Sequence, residues 1–311
     1  MTRSPLVAGL LESMRPHQWA KNSLVLLPLL FSKAFRDPLA TETWGIDLRA
    51  VGHSLAAFSL FCMLSSGVYL LNDVADRERD RRHPVKRLRP IAAGLVPVRL
   101  AVAAAAVLIG VALTWAALIG PEHLTPMFVT WPAVYLGLNL AYSFWLKSLV
   151  IVDCLVVAVG FGVRVHAGAA VIDVPTSSWI LLCTFFLAMF LALCKRREEV
   201  LSLQGAGVET RPTMRDYDLP FLDQLISPMA ALSILSYALY TVAIETATQH
   251  GPYLKFTVPF VVFCVFRYLF LVYRRREGGD PSRLLLTDPQ MLMGGSLWCF
   301  SVYLALTLGR R

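Results

Sequence analysis

Long apolar segments recur from one end of this chain to the other, and they restrict its possible folds more than any other feature. Several contain more than the roughly 18–20 apolar residues that a helix needs to cross a hydrocarbon core. The composition agrees, because 56% of the 311 residues are hydrophobic and only 16% are charged. Backbone polar groups that face lipid must form hydrogen bonds within their own segment. The sequence therefore predicts an all-α, polytopic membrane protein.

We predict about nine transmembrane helices, of which the first is short and contains Pro28. No soluble domain or linker is apparent in the sequence, so residues 1–311 are predicted to form one transmembrane domain. Two longer connections, near 74–97 and 196–223, are predicted to cap a site at one membrane face. The predicted spans are 22–35, 48–73, 98–120, 126–146, 149–171, 178–195, 224–245, 255–273 and 290–308.

The distribution of basic residues predicts the orientation of the chain. Lys and Arg crowd the connections that follow the second, fourth, sixth and eighth spans, whereas the connections 120–126, 171–178 and 245–255 hold few. Cytoplasmic loops of membrane proteins are enriched in Lys and Arg. We therefore expect a multi-pass protein of a bacterial-type plasma membrane, with its N-terminus and active site facing the cytoplasm. The net charge of +8 follows from this topology and from anionic ligands, and it requires no nucleic acid.

Four oxygen-bearing side chains end the second span, in the stretch NDVADRERD (72–80). On a continuous helix Asn72, Asp76 and Asp80 recur at i, i+4 and i+8, and Asp73 precedes Asp76 by three residues. Carboxylates this close together beside lipid require a cation among them. Oxygen ligands without Cys or His favour Mg²⁺, which commonly bridges to a phosphorylated substrate. The open alternative is a solvated helix end that forms salt bridges with its own arginines.

A short basic loop follows this helix end and contains Lys86, Arg87 and Arg89. Arg offers a fork of donors to oxyanions and Lys offers a point charge. Directly after a carboxylate array, the loop is predicted to bind phosphate. The open alternative is a loop that only marks the cytoplasmic side.

Further charged and polar residues at the same predicted face are candidates for substrate binding. Asp153 and Arg164 lie inside the fifth span about three helical turns apart, and an internal ion pair between them is the open alternative. For the N-terminal basic residues the alternative is contact with lipid headgroups. The remaining candidates are Arg15, His17, Lys21 and Asn22 near the N-terminus, Tyr142 and Lys147 after the fourth span, and Lys195, Arg196, Glu198 and Glu199 after the sixth.

Taken in order, these motifs resemble the intramembrane prenyltransferases of the UbiA type. NDVADRERD matches their NDxxDxxxD motif, and RPIAAG (89–94) is similar to the signature that follows it. A larger ordered set resembles the decaprenyl-phosphate phosphoribosyltransferase branch of that family over almost the whole chain. The set consists of RPHQWAKN (15–22), HPVKRLRPIAAG (83–94), YSFWLK (142–147), KRREE (195–199) and REGGDPSRLLLTD (276–288).

The resemblance implies a nine-helix bundle around a cytoplasm-facing cavity. It also implies transfer of 5-phosphoribose from phosphoribosyl pyrophosphate to a polyprenyl phosphate, with release of pyrophosphate. Mg²⁺ is the implied cofactor, and Asn72, Asp73, Asp76 and Asp80 would hold it together with pyrophosphate. We assign catalytic roles to the three aspartates and Lys147. The expected partners are the two phosphorylated substrates and the lipid bilayer, and a homo-oligomer is compatible with the sequence.

One departure from the wider family separates the competing functions. Aromatic prenyltransferases usually carry a second aspartate-rich motif after the sixth helix, where this chain has KRREE (195–199). The added positive charge suits two phosphorylated substrates better than a carbocation and a neutral ring. The alternatives are an Mg²⁺-dependent aromatic prenyltransferase that uses a polyprenyl diphosphate, and a transporter of an anionic lipid or metabolite. A transporter would need charged residues at both faces, whereas these motifs gather at one.

Overall fold

The computed structural model is helical throughout the residues that it describes, which are 5–31, 47–82, 85–119, 125–203, 216–275 and 277–309. These ranges contain no β-strand, and the predicted all-α fold class is confirmed. A 3₁₀ helix covers Pro16–Leu26, and a π-helical turn covers Leu271–Arg275. The α-helices are α1 (Pro5–Ser13), α2 (Leu27–Phe31), α3 (Leu48–Ala75), α4 (Arg77–Arg82), α5 (Val98–Ile119), α6 (Thr125–Phe144), α7 (Val152–Val171), α8 (Ser178–Leu203), α9 (Leu219–Val242), α10 (Ile244–His250), α11 (Val258–Phe270), α12 (Pro281–Thr287) and α13 (Pro289–Leu308).

Seven segments of the described chain are long and apolar enough to cross a membrane: α3, α5, α7, α8, α9, Leu254–Arg275 and α13. The 20-residue helix α6 matches the predicted span 126–146. The predicted count of nine is not confirmed, because α6 is not among these seven segments and the N-terminal span 22–35 begins as a 3₁₀ helix and continues as the five-residue α2. Residues 32–35 lie outside the described residues. The two prolines, Pro16 and Pro28, occupy the first turns of their helices, where a missing N–H is tolerated.

Two predicted boundaries need correction or lie outside the described residues. Helix α8 continues eight residues past the predicted end at 195, so KRREE is helical and the connection begins only after Leu203. Residues 204–215 of the predicted cap 196–223 lie outside the described chain, as do 120–124 and Arg276. The other predicted cap, 74–97, contains α4 and a short 3₁₀ turn at Lys86–Leu88. The capping role of both connections stays a prediction.

The described chain divides into two compact units. Unit 1 comprises 1–147 and 160–176, and its core joins α3, α5, α6, the second half of α7 and the 3₁₀ helix. Helices α3 and α5 approach closely at Gly67, where a Cβ atom would lie 2.8 Å from Ile109 Cγ1. At the start of α3 the Asp47 carboxylate accepts backbone hydrogen bonds from Arg49 and Ala50, which satisfies donors that a helix otherwise leaves open.

Unit 2 comprises 148–159 and 177–311. Helices α8 and α9 pack along each other, and Phe190 of α8 makes an edge-on ring contact with Tyr268 of α11 at 5.5 Å. Arg267 and Asp288 join α11 to the start of α13 through two hydrogen bonds of 3.1 and 2.7 Å. The Asp288 carboxylate also caps α13 by accepting from the Met291 N–H. This guanidinium lowers the pKa of the Asp288 carboxyl below its ordinary value.

Candidate functional site

The end of α3 carries the acidic cluster, which we define as Asp73, Asp76 and Asp80. Helix α3 ends at Ala75 with Asp76 as its C-terminal cap. The predicted i, i+4, i+8 spacing survives, because Asp76 N–H donates to Asn72 O at 2.9 Å and Asp80 N–H donates to Asp76 O at 2.8 Å. The three aspartates are 3–7% exposed, whereas Asn72 is half-buried.

Each carboxylate of the acidic cluster meets a cation from a distant part of unit 1. Arg15 donates to Asp73. Arg89 Nη1 lies 2.7 Å from Asp80 Oδ2 and 3.2 Å from Asp73 Oδ1. Lys147 Nζ lies 2.8 Å from Asp76 Oδ1, and Arg79 Nη1 approaches the same oxygen at 3.4 Å. Buried charges are costly unless they are paired, and these cations provide the pairing.

The donors of the acidic cluster suit a hard cation, since carboxylate oxygen is the ligand that Mg²⁺ prefers. In the described residues no three His, Cys, Asp or Glu side chains converge on a single metal position. The carboxylates point instead toward Arg15, Arg89 and Lys147. The predicted ligand types are therefore present and buried, and their arrangement here is that of an ion-pair cluster. The sequence alternative of pairing through arginines of the same helix end is seen at Arg79, which approaches Asp76, and at Arg77 and Arg81, which pair with Glu78.

Other predicted residues of unit 1 lie at different depths. Lys21, Lys86 and Tyr142 are half-buried, and Arg87 is exposed. Of the basic loop, Arg89 reaches the acidic cluster. The predicted substrate contacts of the other four residues stay predictions.

Arg164 lies at a different place in unit 1, within α7, and is 7% exposed. Its Nε donates to Asn22 Oδ1, its Nη1 to Gly160 O and its Nη2 to Tyr135 OH, each at 2.9 Å. One turn later Gly168 allows the 3₁₀ helix to approach α7, because a Cβ there would overlap the Val25 carbonyl oxygen at 1.9 Å. This close approach brings Asn22 to Arg164.

In unit 2, Asp153 at the start of α7 is completely buried. Its Oδ2 accepts from Arg196 Nε at 2.6 Å and its Oδ1 accepts from Tyr217 OH at 2.7 Å. Arg196 also pairs with Glu199 of the same helix. The Asp153–Arg164 ion pair considered from the sequence is replaced by separate partners, because eleven residues of one helix separate the two by about 16 Å.

Tyr217 connects this network to a backbone turn with an uncommon conformation. The Ile151 N–H donates to Tyr217 OH at 2.7 Å, and Ile151 has φ +67°, which a β-branched residue rarely adopts. Burial raises the pKa of the Tyr217 hydroxyl above its ordinary value. The hydroxyl therefore stays protonated at neutral pH and donates to Asp153.

The neighbouring residues of the α8 end differ in exposure. Lys195 is exposed, whereas Arg197 lies against unit 2, with Nε 2.7 Å from Asp223 Oδ1 and its guanidinium 4.3 Å from the Tyr273 ring centroid. Sequence reasoning did not assign site roles to Tyr135, Tyr217, Arg197 or Asp223. A lone hydroxyl or charge inside an apolar span, as at Tyr135, is the signal that could have identified one of them.

Comparisons with known proteins place the chain in a family. The UbiA prenyltransferase family matches residues 26–294. The decaprenyl-phosphate phosphoribosyltransferase of Corynebacterium glutamicum is 33% identical over 305 residues, which cover 96% of this chain and 87% of the relative. Its namesake in Mycolicibacterium smegmatis is 36% identical over 297 residues, which cover 91% and 87% of the two chains.

A solved structure agrees with these sequence matches at the level of the fold. A UbiA homologue from Archaeoglobus fulgidus bound to GPP and Mg²⁺ matches with a TM-score of 0.67 at 18% identity, over 96% of this chain and 99% of that one. The two sequence relatives are similar over nearly their whole length, and the family match extends through both units. The chain therefore belongs to the UbiA prenyltransferase family.

Proposed function

We propose that this protein transfers 5-phosphoribose from phosphoribosyl pyrophosphate to a polyprenyl phosphate and releases pyrophosphate, with Mg²⁺ as cofactor. The observation that carries the proposal is the 33–36% identity, over more than nine-tenths of the chain, to decaprenyl-phosphate phosphoribosyltransferases. The acidic cluster supports it, because its buried carboxylates are matched by cations that can also bind phosphate. The KRREE segment supports it as well, since its arginines occupy the place of a second acidic motif.

The chemistry of the acidic cluster follows from its charges. Three carboxylates face Arg15, Arg89 and Lys147, so the cluster is close to neutral before substrate binds. The aspartates would hold Mg²⁺, which would supply positive charge for the leaving pyrophosphate. Arg15, Arg89 and Lys147 would then bind phosphate oxygens in place of carboxylate oxygens. Exchange of one anionic partner for another avoids leaving a buried charge without a partner.

The transfer itself places modest demands on the protein. The acceptor phosphate is already an anion at neutral pH, so no side chain has to act as its general base. Arg15, Arg89 and Lys147 would hold the two anionic substrates together and screen their repulsion. The anomeric carbon would pass through an oxocarbenium-like state, as in other glycosyl transfers. Displacement in line would invert the anomeric configuration.

We further propose that the acidic cluster faces the cytoplasm of a bacterial-type plasma membrane. Its support is the concentration of Lys and Arg in 74–97 and at the α8 end. Single cysteines can test this at two exposed positions, Val85 (70% exposed) and Ile244 (85% exposed). Val85→Cys should react with a membrane-impermeant maleimide only in inside-out vesicles, and Ile244→Cys only in intact cells. Labelling of Val85→Cys in intact cells would contradict this orientation.

The decisive experiment follows radiolabelled phosphoribosyl pyrophosphate into the lipid phase with polyprenyl phosphates as acceptors. Purified protein with Mg²⁺ should form a labelled lipid, and chelation of the metal should stop the reaction. The runner-up, an aromatic prenyltransferase, predicts consumption of a polyprenyl diphosphate instead. If calorimetry detects no Mg²⁺-dependent binding of phosphoribosyl pyrophosphate to the wild-type protein, the proposal fails and the runner-up replaces it.

A further inference from the structure

Arg164 differs from the other buried cations of the described chain. Three cationic side chains in that part are buried, namely Lys147, Arg164 and Arg196. Lys147 faces Asp76, and Arg196 faces Asp153 and Glu199. Arg164 donates only to an amide oxygen, a backbone carbonyl and a hydroxyl, and no carboxylate of the described residues lies within ion-pair distance of it. It is therefore a buried charge whose described partners are all neutral.

The neutral partners of Arg164 orient its guanidinium without cancelling its charge. Its side chain lies over two rings, with the guanidinium carbon 4.6 Å from the Tyr135 centroid and 5.1 Å from the Phe161 centroid. A guanidinium stays protonated in proteins and has five N–H donors, of which three are used here. Charged residues within spanning helices usually pair with one another or mark a ligand pathway. Two remaining donors and an uncancelled charge indicate a missing anion.

The shell that holds Arg164 is itself fixed. Asn22, which accepts from Arg164, donates its amide to Ser65 Oγ at 3.1 Å and to Cys62 Sγ at 3.4 Å, and it is 1% exposed. Tyr135 is 2% exposed and makes an edge contact with the Phe61 ring. A guanidinium held by such neighbours loses little side-chain freedom when an anion binds. The arrangement is that of a preformed binding group.

Arg164 also lies near the acidic cluster. Asn22 accepts from Arg164 and donates to Ser65 of α3, and Arg15, at the start of the same 3₁₀ helix, donates to Asp73 of α3. Ser65 precedes Asp73 by about two helical turns, or about 12 Å. The contacts of Arg164 therefore reach α3 about two turns before the carboxylate that Arg15 contacts.

From these observations we propose that Arg164 binds a phosphate monoester that lies deeper in unit 1 than the pyrophosphate group at the acidic cluster. The inference rests on the proposed function, which supplies two such groups, the phosphate of the lipid acceptor and the 5-phosphate of the sugar donor. Both present the same oxyanion to the free donors of Arg164. Asn22 and Tyr135 act as positioning residues that aim the guanidinium.

The test compares Arg164→Gln with a matched control, Arg267→Gln. Arg267 also lies within a spanning segment, but its guanidinium is paired with Asp288. Arg164→Gln should raise the KM for one phosphorylated substrate at least about tenfold, the usual size of a lost charge-assisted phosphate contact, and leave the other KM within about twofold. Arg267→Gln should leave both KM values near wild type. A change confined to the acceptor KM assigns the lipid phosphate, and a change confined to the donor KM assigns the sugar phosphate.

A stability measurement separates binding from a structural role. Arg267→Gln leaves Asp288 without its cation, so its melting temperature in detergent should fall. Arg164→Gln leaves no described carboxylate without a partner, but it takes donors from the buried Asn22 and Tyr135, so its melting temperature should fall less than that of Arg267→Gln. Arg164→Lys, which keeps the charge, should recover part of the lost affinity. Two normal KM values for folded Arg164→Gln protein would overturn the inference.

Direct binding distinguishes failure of this inference from failure of the proposed function. If the wild-type protein transfers no phosphoribose, the proposed function fails by itself. Binding of labelled polyprenyl phosphate and of labelled phosphoribosyl pyrophosphate is then compared between the wild type and Arg164→Gln, with unphosphorylated polyprenol as a blank. Phosphate-dependent binding that Arg164→Gln weakens supports the inference, and equal binding to both proteins refutes it.

Discussion

The ends of α3 and α8 both hold buried ion pairs, but the α3 end carries the negative charges of its pairs and the α8 end carries the positive charges. At the α3 end the helix carries Asp73, Asp76 and Asp80, and other segments of unit 1 supply the cations. At the α8 end the helix carries Arg196 and Arg197, and the carboxylates come largely from other helices of unit 2. Buried ions need partners in both cases, but among these pairs the carboxylates belong to the helix end itself only at α3.

Two carboxylates at the α8 end, Asp153 and Asp223, are held by arginines. Asp153 is completely buried and both of its oxygens are engaged, so we propose that it positions Arg196 and does not itself contact substrate. Asp223 stands in the same relation to Arg197, which also stacks on Tyr273. The α8 end therefore presents arginines whose counter-charges are fixed. We propose that this arrangement binds an anionic ligand and not a second metal ion.

The largest expected effect comes from breaking the acidic cluster. Asp76→Asn removes one carboxylate charge at almost constant volume, and turnover should fall on the order of 1,000-fold, because the aspartates act together in holding the metal. Transfer of labelled phosphoribose measures this. Glu78→Gln is the matched control, since Glu78 lies two residues away with a side chain that is 71% exposed. Near-normal activity of folded Asp76→Asn protein would exclude the cluster as the metal site.

Breaking the Asp153–Arg196 ion pair should reduce the free energy of unfolding more than it reduces the rate of transfer. Asp153→Asn removes the buried carboxylate that accepts from Arg196, and loss of one partner of a buried pair costs about 3–5 kcal/mol. Chemical unfolding in detergent should show this loss. The double variant Asp153→Asn/Arg196→Gln should lose less than the sum of the two single variants, because neither charge is then left alone. Additive losses would show that the two residues do not interact.

Two lysines test whether burial decides the contribution of a cation. Lys147 is buried against Asp76, whereas Lys195 is exposed. Lys147→Gln should raise the KM for one phosphorylated substrate at least about tenfold. Lys195→Gln should raise a KM less, since solvent screens an exposed charge. Equal increases in KM for the two variants would contradict the prediction that burial decides the effect.

Removal of the Tyr217 hydroxyl should have a smaller effect. Tyr217→Phe takes one donor from Asp153 and one acceptor from the Ile151 N–H. The expected loss is about 1–3 kcal/mol of unfolding free energy, because two buried partners then lack a hydrogen bond. Denaturation curves measure the change. An unchanged curve would mean that the left-handed turn at Ile151 does not depend on Tyr217.

The smallest expected effect is the acid sensitivity of the Arg267–Asp288 pair. The folded state lowers the pKa of Asp288 from 3.8, so the pair stabilises the protein fully above that pH. The contribution is lost as the pH falls from 3.8 through the lowered folded-state value. Asp288→Asn should lower the melting temperature by a few degrees at pH 6 and reduce its fall below pH 4. If the melting temperature of Asp288→Asn falls below pH 4 as steeply as that of the wild type, this assignment is contradicted.

Hydropathy and charge spacing in the sequence were sufficient to predict most of the helices and where their charged ends lie. Apolar length alone predicted α3, α5, α7, α8, α9, the 254–275 segment and α13, because lipid leaves the backbone few other ways to satisfy its hydrogen bonds. The spacing of Asp73, Asp76 and Asp80 placed them near each other through local geometry. Hydropathy was least successful at the first span, which contains Pro28 and forms a 3₁₀ helix followed by a short α-helix.

The pairing of the charged residues depends instead on how distant segments pack together. Arg15 and Asp73 are 58 residues apart in sequence, and Asn22 and Arg164 are 142 apart. Periodicity within a helix says nothing about such contacts, because they depend on how helices pack against one another. The sequence placed Asp153 and Arg164 on one helix and left an ion pair between them open. Packing gave Asp153 a cation and a hydroxyl, and it gave Arg164 neutral partners alone.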